Sequence, residues 1–93
     1  MIVRFRSRET AKIWSGEWSR RLPREIQSVA LRKLRLLNNA RALHDLAVPP
    51  NNRLEALKGD RAGQHSIRIN DQWRICFVWT SGGPDHVEIV DYH

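Results

Sequence analysis

Asp91, Tyr92 and His93 bring together a carboxylate, a phenol and an imidazole, side chains suited to moving protons near neutral pH. They follow the apolar run Val87 to Val90, which reads as a strand. A strand carried to its end sets Asp91 and His93 on one side and Tyr92 on the other. As the last residue of the sequence, His93 carries an α-carboxylate that favours its imidazolium, and hence proton donation. A polar chain end is as readily frayed, so the triplet alone leaves both readings open.

Basic residues weigh toward chemistry. A phosphodiester attacked by its own 2′-hydroxyl needs proton transfer and stabilisation of a doubly charged phosphorane, a role suited to Lys58, Arg61, Arg68 and Arg74. The segment Leu57-Lys58-Gly59-Asp60-Arg61-Ala62-Gly63 reads either as a phosphate-cradling turn or as a hairpin turn with solvated cations. The net charge of +6 favours a polyanionic partner, because most of the cations are arginines and guanidinium grips phosphate bidentately. An acidic protein partner would answer to the same charge.

Other candidates carry less. His44, His65 and His86 lack metal-ligand spacing, so neither a metal site nor a cofactor is expected. Trp14, Trp18, Trp73 and Trp79 fall on inferred apolar faces and read as core residues, not as stacking platforms for bases. Cys76, the single cysteine, excludes an intramolecular disulfide and reads as a buried thiol. The N-terminus has charges within four residues and no apolar stretch for a signal peptide or membrane span. A cytoplasmic protein with no membrane partner is expected.

The elements that must position these groups are few. Ninety-three residues suit one domain, residues 1–93. Met1 to Phe5 alternates as a short first strand. Ser7 then caps a helix whose stripe is Ala11, Trp14, Trp18 and Leu22, with Gly16 its weak point. Pro23 opens a second helix to Asn38, with Ile26, Val29, Ala30, Leu34, Leu36 and Leu37 on one arc and Arg32, Arg35 and Ser28 opposite. Lys33 falls inside the apolar arc and is expected to snorkel outward. Ala40 to Leu46 adds a turn or two before Val48-Pro49-Pro50-Asn51-Asn52 stops the helix.

Four strands follow: Arg53 to Lys58, Gln64 to Ile69, Trp73 to Trp79 and His86 to Tyr92. The fold class is α+β, with helices covering one face of a mostly antiparallel sheet. The Asn70-Asp71-Gln72 hairpin sets Arg68 and Arg74 near each other on the open face, which predicts an anion between them.

The run Arg53-Leu54-Glu55-Ala56-Leu57-Lys58-Gly59-Asp60-Arg61-Ala62-Gly63-Gln64-His65-Ser66-Ile67-Arg68-Ile69-Asn70-Asp71-Gln72-Trp73-Arg74-Ile75, with Val87-Glu88-Ile89-Val90-Asp91-Tyr92-His93, resembles the HigB toxins of the RelE/ParE superfamily. The likeness is dense over the C-terminal half and looser over the helices. It implies a RelE-like curved sheet and a bacterial type II toxin–antitoxin system. It further implies a ribosome-dependent mRNA endoribonuclease that inhibits translation. A HigA-type helix-turn-helix antitoxin would neutralise it, and operator DNA would be reached only through that complex.

Carried over by position, the resemblance assigns Asp91, Tyr92 and His93 to the family's catalytic C-terminal segment. Lys58 and Arg74 match its phosphate-facing positions, with Arg61 and Arg68 as further RNA-binding candidates. One departure stands out: where some HigB proteins have a histidine two residues before the Leu of Leu-Lys-Gly, this chain has Glu55. Glu55 either replaces that base or is a surface strand residue. The implied mechanism has His93 protonating the leaving 5′-oxygen, and Glu55 or Tyr92 assisting removal of the 2′-hydroxyl proton. Asp91 would orient the site, while Arg74 and Lys58 stabilise the phosphorane. The competing functions are a ParE-like gyrase inhibitor and a non-catalytic RNA- or protein-binding module.

Overall fold

Ser7 starts the first helix as expected: its Oγ accepts the Thr10 N–H at 3.3 Å, and α1 spans Arg8–Trp14. The computed structural model describes residues 1–92. Helix α1 ends well before Leu22, because Gly16 takes a left-handed turn (φ 90°) just beyond the Ser15 cap. Trp18 is therefore outside the helix and 59% exposed, with the Arg24 guanidinium 4.9 Å from its ring centroid. It is not a core residue. Trp14, Trp73 and Trp79 do pack, partly buried, against the core.

Helix α2, Arg24–Asn39, keeps nearly its expected bounds. Ile26, Ala30, Leu34 and Leu37 are buried on its inner arc, whereas Leu36 lies at its exposed margin. Lys33 does not snorkel. It is buried, and its ammonium donates to Asn52 Oδ1. Asn52 is itself fully buried and donates through Nδ2 to the carbonyls of Leu46 at 3.1 Å and Val48 at 3.3 Å. The 3₁₀ turns Leu43–Ala47 and Pro50–Asn52 thus carry an acceptor to the lysine, and solvent need not supply one. Burial holds the Lys33 ammonium's pKa below its usual value, with Arg32 and Arg68 adding repulsion.

The sheet is an antiparallel meander in chain order: β1 Glu55–Ala56, β2 His65–Arg68, β3 Trp73–Thr80 and β4 Gly83–Asp91. Strand β1 is shorter than the expected Arg53 to Lys58, since Arg53 is left-handed (φ 45°) and Lys58 already leads into the 3₁₀ turn Gly59–Arg61. The β3–β4 register shifts near Cys76 and Val78. On β4, the left-handed His86 (φ 52°) donates its N–H to Asp85 Oδ1 at 2.7 Å.

Met1 to Phe5 does not form a full strand. It runs beside β4 with one parallel bridge, Phe5 to Val87. Val3 N–H donates to Pro84 O at 2.8 Å, Val87 N–H to Arg4 O at 3.1 Å and Arg6 N–H to Val87 O at 2.9 Å. Gly83 (φ 119°) makes the approach possible, because a Cβ there would collide with the Met1 carbonyl. Arg4 closes the segment with a 2.9 Å salt bridge to Asp85 and holds that carboxyl at a pKa of about 2.

Both helices lie against one sheet face. Ile67, Ile75, Phe77 and Val87 are fully buried there with Ala30, Leu34 and Leu37. Thr10 Oγ1 accepts the Ile89 N–H at 2.9 Å and ties α1 to β4. Among the described residues, no helix is long and apolar enough to cross a membrane.

Candidate active site

Alternation along the strands sends Ser66, Arg68, Arg74, Cys76, Glu88 and Val90 to the face away from the helices. One row of register partners crosses all four strands: Glu55, Ser66, Cys76 and Glu88. In the next row Arg68 stands directly opposite Arg74, as the hairpin predicted. This face is not bare, for Ser66 and Cys76 are fully buried and Arg74 is only 7% exposed.

The arginine pair needs no anion to separate it. Arg68 turns its guanidinium to Asp71 in the hairpin. Arg74 turns toward β1: its Nε donates to Ser66 Oγ at 2.7 Å, and its Nη2 donates to Arg53 O at 2.5 Å and Ser66 O at 3.4 Å. The half-exposed Glu55 carboxylate stands 3.9 Å from the same Nη2. The two guanidinia turn to different acceptors, one in the hairpin and the other around β1 and β2, which offsets their mutual repulsion.

Arg61 reaches the same face from the Gly59–Arg61 turn. Its Nη1 donates to Glu88 Oε1 at 2.9 Å and to Gln64 Oε1 at 3.1 Å. Arg6 Nε lies 4.0 Å from that same Glu88 oxygen. The Glu88 hydrogen bond is the chief cause that favours the Arg61 charge, with Tyr92 among the smaller ones. Lys58 opens this turn as an exposed side chain. Burial raises the Cys76 thiol's pKa, so it is a packed thiol, as expected, and not a nucleophile.

Asp91 and Tyr92 part company. Asp91 is the register partner of Trp73, and its Oδ2 accepts from Gln72 Nε2 at 3.1 Å. The backbone of Tyr92 is held by Gln72 O at 2.8 Å, and alternation gives its 37%-exposed ring to the Arg61 and Glu88 face. His93, expected as the proton donor, lies outside the described residues. His65 faces the core, its ring stacked on Phe77 with centroids 6.3 Å apart, and its buried Nδ1 has no hydrogen-bond partner among the described residues.

One face therefore unites Arg74 with Glu55, and Arg61 with Tyr92. Arg68 is engaged elsewhere, and the Asp91 side chain leaves from the other side. Sequence reasoning missed Ser66, Glu88 and the Arg53 carbonyl. Glu88 had a signal, an acid within the apolar run Val87 to Val90, and Ser66 had one in standing between His65 and Ile67. A backbone carbonyl has none.

A family model for the RelE-like toxin HigB of type II toxin–antitoxin systems matches residues 4–93. The chain is 37% identical over 83 residues to Toxin HigB-1 of Vibrio cholerae, covering 88% of this chain and 87% of that protein. It is also 32% identical over 64 residues to an uncharacterized protein of Haemophilus influenzae, covering 69% of this chain and 63% of that one.

Proposed function

The chain belongs to the RelE-like HigB toxins of type II toxin–antitoxin systems, and on that footing we propose that it cleaves mRNA on the translating ribosome. A toxin of this type has an antitoxin as its partner, and in this reading the antitoxin is of the HigA type. The protein works in the cytoplasm and meets operator DNA only through the antitoxin.

The observation that carries the reading is an immobilised arginine, Arg74, beside a half-exposed carboxylate, Glu55, on the sheet face away from the helices. A guanidinium fixed before substrate arrives can stabilise a phosphorane without reorganising. In this reading Glu55, its carboxylate 3.9 Å from Arg74 Nη2, takes the 2′-hydroxyl proton. Between the two candidate bases, the carboxylate adjoining Arg74 suits the role better than Tyr92, which adjoins Arg61. His93 protonates the leaving 5′-oxygen, Asp91 orients the terminal segment, and Lys58 and Arg61 engage flanking phosphates. The demands of this route are proton transfer and charge stabilisation, so no metal is invoked.

The test is to add purified protein to a translating extract and map mRNA 5′ ends, with gyrase supercoiling measured in parallel. Cuts that require translating ribosomes, lost in Arg74→Ala and His93→Ala, are the expected result. Blocked supercoiling with intact mRNA would overturn the assignment in favour of a gyrase inhibitor. Salt-sensitive RNA binding without cuts would do so in favour of a binding module.

A further inference from the structure

Arg74 is held from behind by groups that no catalytic scheme above employs. Ser66 Oγ takes the Nε proton at 2.7 Å, and the Arg53 carbonyl takes an Nη2 proton at 2.5 Å. Among the described residues Nη1 has no hydrogen-bond partner, so the unclaimed donors include that whole edge of the fork. Two acceptors at fixed positions define both the plane and the direction of a rigid guanidinium.

The second acceptor is held at a cost. Arg53 is a non-glycine residue in the left-handed region (φ 45°, ψ 57°), a conformation that persists only where its surroundings enforce it. Just before it, Asn52 is fixed on every side. Its N–H donates to Pro49 O at 2.9 Å, its Nδ2 to Leu46 O and Val48 O, and its Oδ1 accepts from Lys33. Arg53 N–H adds a 3.0 Å bond to Pro50 O. Lys33 reaches this loop from α2, in the layer on the other side of the sheet. A buried ammonium carries a desolvation cost, so stability alone is a weak reason for one here. What it supplies here is a fixed location for Asn52, and through it for the Arg53 carbonyl.

We propose that Ser66 and the Lys33–Asn52 pair are positioning residues that aim the Arg74 guanidinium at the scissile phosphate, one through its Nε and the other through the strained Arg53 carbonyl. The proposal rests on the reading in which Arg74 stabilises the phosphorane. It extends the site across the sheet into the helix layer, so that Lys33 touches no substrate yet sets the geometry of a group that does.

The experiment compares wild type, Ser66→Ala, Ser66→Thr, Lys33→Met and Arg74→Ala in ribosome-programmed mRNA cleavage. Melting temperature and the NMR exchange protection of the Arg74 Nε–H are measured alongside. Ser66→Ala is expected to lower kcat by roughly 10- to 100-fold with KM nearly unchanged, the scale of a misaimed catalytic group, while Ser66→Thr keeps most of the rate. Lys33→Met removes a desolvated charge but also the donor to Asn52 Oδ1, so its melting temperature is expected to stay near wild type while kcat falls roughly 3- to 10-fold. A purely structural role would move stability and rate in the same direction. Wild-type kcat in both Ser66→Ala and Lys33→Met, with cleavage lost in Arg74→Ala, would overturn the proposal and leave the ribonuclease reading intact. If the wild type cleaves nothing, that reading fails and the catalytic part of the proposal falls with it. The Nε–H still judges the geometry: protection in wild type that Ser66→Ala abolishes supports it, and no protection in wild type refutes it.

Discussion

Arg74 and Arg61 present the same charge on the same sheet face, but their neighbours differ. Arg74 is hydrogen-bonded to neutral acceptors, Ser66 and the Arg53 carbonyl, with Glu55 at 3.9 Å, whereas Arg61 is hydrogen-bonded directly to the Glu88 carboxylate at 2.9 Å. Much of the Arg61 charge is therefore compensated before any phosphate arrives. Glu88→Gln removes that compensation and is expected to tighten RNA binding and steepen the log–log salt dependence by about one unit, the increment of one further phosphate contact. A salt slope equal to wild type would count against it. Glu55→Gln is expected to cut kcat by about 100-fold in ribosome-programmed mRNA cleavage. Arg74, Arg61 and Glu55 could be picked out of the sequence because charge is visible in residue type, whereas Glu88 was passed over inside an apolar run. The groups that hold them were less legible, since a serine or a carbonyl acquires its role only from a neighbouring strand.

At the level of elements, α2 was readable almost to the residue, because Pro23 and a wide apolar arc mark it without help from the rest of the fold. Helix α1 was overextended because Trp14, Trp18 and Leu22 keep helical spacing past Gly16, and one glycine at positive φ outweighs that pattern. Trp18→Ala should therefore shift the melting temperature only slightly, as for a surface substitution, whereas Leu34→Ala should cost about 2–5 kcal/mol as a core truncation. Denaturant titration of both separates the two outcomes. Lys33 adds a pH effect whose sign follows from its lowered pKa. Between the folded value and the usual 10.5, the unfolded chain binds a proton that the folded chain has released, so stability from this residue rises with pH through that window. Lys33→Met should abolish that component of the rise as pH climbs toward 10.5 in urea unfolding. The snorkelling expectation failed because helical periodicity says nothing of what packs on the helix, here a buried asparagine brought in by two 3₁₀ turns.

For the whole molecule, the class and order of elements followed from the pattern of helices before strands, but the closure of the chain on itself did not. Arg4 and Asp85 lie 81 residues apart and join the N-terminal segment to the last strand. No local pattern announces such a pair. Because the Asp85 carboxyl is depressed to about 2, the stability it contributes is present at neutral pH and is lost as pH falls from near 4 toward 2. Asp85→Asn should melt earlier than wild type at pH 7, and the gap should close by about pH 2. A constant gap in thermal melts across that range would exclude Asp85 titration as its source.

That same segment bears on self-association. A sheet of four strands has two margins, and each is a template on which another chain can extend the ladder. On one side β1 offers only two residues, too little for stable pairing. On the other, β4 runs for nine residues, and Val3, Arg4 and Arg6 occupy its outer edge at Pro84 and Val87. Removing residues 1–6 should thus increase edge-to-edge oligomerisation relative to the full chain, visible by light scattering as a steeper growth in mass with concentration. The opening residues act as a selvedge, the woven border that keeps a fabric from unravelling into its neighbour.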